Sequence, residues 1–132
     1  MRHFALLLAP LAFIIIGISS AAAEKCEPDT SSRCAYESTK ESYDVADARL
    51  NKAYNALLKS LPSKPDPTVE SPQLTKSEFV QAQRNWLKYR DSWCGAERKL
   101  QGGGFTWPDV WETTCLARLT DARAAEMEEF SK

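Results

Sequence analysis

The chain has a single histidine, His3, and no C-x-x-C pair among its four cysteines. Without a histidine beyond position 3, a serine has no imidazole to activate it and zinc loses its commonest nitrogen ligand. Without C-x-x-C there is no thioredoxin-like redox site. Neither charge dominates, with 17 lysines and arginines against 18 acidic residues, so neither nucleic acid nor an anionic membrane surface is an implied partner. Glycine is scarce, and three of the five residues fall together at Gly102, Gly103 and Gly104. No Lys-Ser/Thr follows that run, which removes the phosphate-loop reading. Nothing here implies a cofactor, a metal or an enzyme.

What the chain does have begins at the N-terminus. Arg2 and His3 precede an apolar run from Phe4 to Ile18, interrupted only by Pro10 and Gly17, and Ala21-Ala22-Ala23 follows. That pattern reads as a cleavable secretory signal over residues 1–23, too short for a transmembrane helix, which wants about 20 apolar residues. The first cysteine, Cys26, has no lipobox before it, so no lipid anchor is expected. Residues 24–132 then form one small domain, 109 residues long once 23 are taken from 132, with a net charge near −2. The expected location is periplasmic or secreted, and the oligomeric state is left open.

Two clusters of breakers divide this domain. Leu61 to Pro72 holds Pro62, Pro65, Pro67 and Pro72, and Gln101 to Pro108 holds the glycine run. Three helical segments remain. In the first, Tyr43, Ala46, Leu50, Ala53, Leu57 and Leu61 recur at helical spacing, predicting a helix from about Ser32 to Ser60. The second opens on a Thr75-to-Glu78 capping box. It carries Phe79, Ala82, Trp86, Tyr89, Trp93, Ala96 and Leu100 at alternating three- and four-residue steps, a stripe that reads as core. The third starts at Thr106, with Pro108 and Asp109 suited to a first turn. Its apolar positions, Trp111, Cys115, Leu119, Ala122 and Phe130, are less regular.

Spacing alone does not choose among the three pairings that four cysteines allow. Cys94 and Cys115, however, lie at similar distances either side of the glycine turn, so an antiparallel hairpin brings them level. Cys94–Cys115 is therefore favoured, which leaves Cys26 with Cys34. The fold expected is all-α: a small three-helix antiparallel bundle stapled by two disulfides.

Polar residues on the flanks read as inter-helix ties. Arg90, next to Asp91, is expected to reach Asp47 or Asn51 of the first helix, with Gln83 and Arg123 linking helices in the same way. The aromatic stripe admits a sugar-stacking reading, to which the core reading is preferred. Glu126, Glu128 and Glu129 read as a solvated helix face. Trp107 and Trp111 are better placed as contact residues, and the glycine turn is either a simple hairpin turn or a protruding loop.

With these pieces placed, the chain resembles the family named for the N-terminal domain of the lysozyme inhibitor LprI. The residues that carry the resemblance are Cys26, Cys34, Asp47, Leu50-Asn51 and Tyr54, then Gln83, Trp86, Tyr89-Arg90-Asp91 and Cys94. The glycine turn, Cys115-Leu116, Thr120 and Arg123 complete it. It spans about residues 26–123. Two departures are Gly104 where the family commonly has serine, and the missing lipobox of its lipoprotein members. The resemblance implies a protein partner, with lysozyme-type muramidases blocked by stoichiometric occlusion of their cleft. It points to Gly102, Gly103, Gly104, Phe105 and Trp107 as the contact loop. The alternative is a stapled envelope module that binds another exported protein and leaves lysozyme alone.

Overall fold

The computed structural model describes residues 26–27 and 31–131. The signal-peptide expectation for 1–23 lies outside them. Three helices form: α1 (Ser32–Ser60), α2 (Lys76–Gln101) and α3 (Trp107–Phe130). Among the described residues there is no strand. The protein is thus all-α with two disulfides, Cys26–Cys34 and Cys94–Cys115.

Local chemistry sets the helix ends. The Ser31 side chain accepts from the Cys34 backbone N–H at the start of α1. At α2 the Thr75 hydroxyl accepts from the Glu78 N–H, while the Glu78 carboxylate accepts from the Thr75 N–H at 2.9 Å and from its hydroxyl at 2.6 Å. These bonds favour the ionised carboxylate and hold the Glu78 pKa below its ordinary value, the Thr75 hydroxyl contributing most. A depressed folded pKa gives stability that is complete above the unfolded value and is lost as pH falls through the folded one. Glu78→Gln is therefore expected to flatten the fall in melting temperature below the ordinary carboxylate range, as read by a pH series of thermal melts.

The cross-helix pairs fix the topology. Ser32 meets Thr106 and Arg49 meets Glu128, so α1 and α3 run in the same direction. Arg98 meets Asp109, Arg90 meets Thr120 and Gln83 meets Arg123, so α2 runs against α3. Most packing passes through α3, and α1 and α2 touch each other little. The apolar core joins Leu50, Ala53 and Leu57 of α1, Phe79 of α2, and Ala124 and Met127 of α3. Each large side chain there contributes about 1.5–3 kcal/mol by leaving water. This core occupies the half of the bundle remote from the glycine turn, and the fully buried Cys94–Cys115 bridge sits in the other half.

The α1 stripe packs inward at Ala46, Leu50, Ala53 and Leu57, as its spacing predicts. The α2 stripe does not. Its buried residues are Phe79, Gln83, Arg90 and Cys94, with Trp86 half-buried, whereas Tyr89 (56% exposed), Trp93 (44%), Leu100 (78%) and Ala82 face solvent. The helical period is right and the phase is displaced by about one residue. In α3 the buried residues are Val110, Cys115, Thr120, Ala124 and Met127, while Ala122 and Phe130 are exposed.

Candidate functional site

The pole of the bundle at the α2–α3 turn collects the residues expected to meet a partner. Gly102 ends α2 at φ +63°, its N–H donating to the Arg98 carbonyl at 3.2 Å. Gly103 follows at φ +100°, where a Cβ would stand 3.0 Å from the Trp107 Cβ. Both positions need glycine, the first for its backbone and the second for backbone and space alike. Phe105 then adopts φ +53°, a left-handed conformation unusual for a bulky residue, and its side chain is fully exposed. Such a backbone costs on the order of 1–3 kcal/mol and persists only where its surroundings enforce it.

The surroundings are visible. The Trp107 N–H donates to the Gly104 carbonyl, closing the turn at 3.2 Å. Trp107 stacks on Trp111 with ring centroids 5.4 Å apart. The Thr106 hydroxyl bonds the Ser32 hydroxyl at 2.5 Å, tying the turn to the first residue of α1. Arg98 bridges Asp109 and Glu112 at 2.8 and 2.7 Å, locking the last turn of α2 to the first turn of α3. The tip is a braced aromatic point rather than a slack glycine linker. Of the two indoles, Trp107 is partly exposed, and Trp111 is half-buried beneath it.

The polar residues singled out in the sequence fall into separate places. Arg90 does not reach Asp47 or Asn51; those two bond each other along α1, Asn51 donating to Asp47 at 2.9 Å. Arg90 instead donates to the Thr120 hydroxyl of α3 at 3.1 Å and pairs with its neighbour Asp91 at 2.8 Å. Its guanidinium also lies over the Tyr43 ring of α1 and the Trp86 ring, 5.7 and 5.4 Å from their centroids. The contact with α1 is thus cation–π rather than ionic, because an aromatic and not a carboxylate faces Arg90 across the gap. Arg123 does join helices, donating to Gln83 at 3.3 Å and pairing with Glu126. Glu128 is not merely solvated: with Asp121 it holds Arg49 of α1. Arg49, Arg98 and the Ser32–Thr106 bond escaped the sequence reading, since exposed charges and hydroxyls carry no periodic signal.

At the opposite pole an open apolar cavity of about 590 Å³ lies between Leu57, Leu61, Leu74, Phe79, Met127 and Phe130. Among the described residues no cluster of histidine, cysteine and carboxylate side chains is arranged to hold a metal ion, and no helix is long and apolar enough to cross a membrane.

Comparison with known proteins points to a family. An uncharacterised protein of Rhizobium meliloti is 32% identical over 93 residues, covering 68% of this chain and 66% of its own length, just under two-thirds of it. No solved structure matches. The family model described as lysozyme inhibitor LprI matches residues 22–127, nearly the whole of the described domain. The chain belongs to the LprI lysozyme inhibitor family.

Proposed function

We propose that the protein is exported, works in the periplasm or outside the cell, and inhibits lysozyme-type muramidases by plugging their cleft. Two disulfides suit an oxidising compartment. The observation that carries the mechanism is Phe105, fully exposed at positive φ on a braced tip. Exposing a phenyl ring to water forgoes the stabilisation its burial would bring, and a protein partner that covers it recovers that energy. Because the backbone is already fixed, docking gives up little conformational freedom, which favours affinity. Occlusion needs no nucleophile and no proton relay. The net charge near −2 of residues 24–132 gives only slight attraction to a basic enzyme, so added salt should change affinity little.

The test is clearing of a cell-wall suspension by lysozyme with the oxidised protein, residues 24–132, in several-fold molar excess. The wild type slows clearing, and Phe105→Ala needs roughly 10- to 100-fold more protein for the same effect, as expected for a central aromatic anchor. No slowing by the wild type removes the inhibitor reading. Equal potency of Phe105→Ala would keep inhibition and move the contact elsewhere.

A further inference from the structure

The outward phase of the α2 stripe leaves two rings without partners. The other helical aromatics nearby are committed: Tyr54 stacks on Phe79, Trp107 on Trp111, Trp86 lies beneath Arg90 and Arg123, and Tyr43 faces Arg90. Among the described residues, Tyr89 and Trp93 have no ring or cation contact, and both are about half exposed. Four residues apart on one helix, they stand about 6 Å apart along its axis, close to the length of one sugar unit. The solvent side of this strip is polar, formed by the exposed Asn85 and Ser92 with the exposed Lys88 between them. The Asn85 Oδ1 accepts from Gln81 at 3.0 Å, which leaves its amide N–H groups free to donate.

Area and chemistry together select the occupant. Even with the exposed Leu100 two turns further on, two aromatic side chains that are already about half covered leave well under the roughly 800 Å² per partner that a stable protein interface buries. A ligand that covers one ring per repeating unit needs no more. An extended β-linked pyranose chain is a flat ribbon, with apolar C–H faces for stacking and hydroxyl edges for neutral donors and acceptors. An α-linked chain coils and cannot follow a straight row of rings. We propose that Tyr89 and Trp93, with Asn85 and Ser92 beside them, bind an extended β-linked glycan such as a cell-wall strand. The site is separate from the tip, and it stands or falls independently of muramidase inhibition.

The experiment measures retention of the oxidised protein on insoluble peptidoglycan at physiological salt, and titration with chitotetraose, cellotetraose and maltotetraose followed by tryptophan fluorescence. The wild type is expected to be retained and to bind a β-linked tetramer. Tyr89→Ala and Trp93→Ala should each weaken binding roughly 3- to 10-fold, Trp93→Phe should recover most of it, and Phe105→Ala should bind like the wild type. Binding of chitotetraose but not cellotetraose would narrow the ligand to amino-sugar chains. Failure of the wild type to bind any β-linked glycan overturns the proposal. So does undiminished binding by the Tyr89→Ala/Trp93→Ala double variant, or equally tight binding of maltotetraose.

Discussion

Replacing Cys94 and Cys115 together by alanine is expected to lower the melting temperature by roughly 10–20 °C. The bridge spans 21 residues, and closing a loop of that size removes unfolded-state freedom worth about 3 kcal/mol. In a domain this small, each kcal/mol moves the midpoint by about 4–8 °C. Both cysteines are fully buried, so the loss also leaves unfilled space between α2 and α3. The second bridge provides the control. Cys26–Cys34 spans eight residues and fastens Cys26 and Glu27, which are both exposed. Its removal should shift the midpoint far less. Calorimetry on the two alanine pairs decides the matter, and equal shifts would contradict this assignment of where the stability resides.

Arg90→Ala should cost about 3 kcal/mol, read as a fall in the urea midpoint. The guanidinium is only 6% exposed and reaches all three helices: Thr120 of α3, the Tyr43 ring of α1, and Trp86 and Asp91 of its own helix. Truncation empties that space and strands the hydroxyl of Thr120, which is wholly buried. Lysine should restore only part of the loss, because a single ammonium cannot donate to Thr120 and Asp91 while lying flat over two rings. Methionine should be tolerated better than alanine, since it refills the volume without requiring a charge partner. If Arg90→Lys proved as stable as the wild type, the planar stacking of Arg90 would carry no weight.

These two sites also show what the sequence made legible. Helix boundaries were plain because capping residues and breakers act locally: Thr75 and Glu78 announce α2, and the glycine run ends it. Level placement across the turn favours Cys94–Cys115, which leaves Cys26 with Cys34, and both bridges form. The phase of α2 was harder. Periodicity reveals that one face is apolar but presumes that this face points inward. Here Gln83 and Arg90 point inward, because each has a partner waiting on α3. Cys94 carried the missing clue: a cysteine bridged to α3 must face α3, and its neighbour Trp93, about 100° around the helix, cannot also occupy the middle of that interface. The tip residues were read from the glycine run and the resemblance, but its rigidity depends on Ser32, Arg98 and the Trp107–Trp111 stack, which meet only in three dimensions.

The Cys26–Cys34 bridge also decides how the molecule can be handled. It holds the Cα of Cys26 5.2 Å from that of Cys34, in the first turn of α1, and the Ser32–Thr106 bond places that turn beside the tip. Anything attached ahead of Cys26 therefore leaves the domain at the Phe105 pole. The C-terminal end of α3 lies at the other pole, about 36 Å along the helix. A bead, dye or fusion partner joined to the N-terminal side would shade the tip. The same group joined after Phe130 would present the tip outward, and immobilisation from that end is the orientation in which partner capture should be attempted.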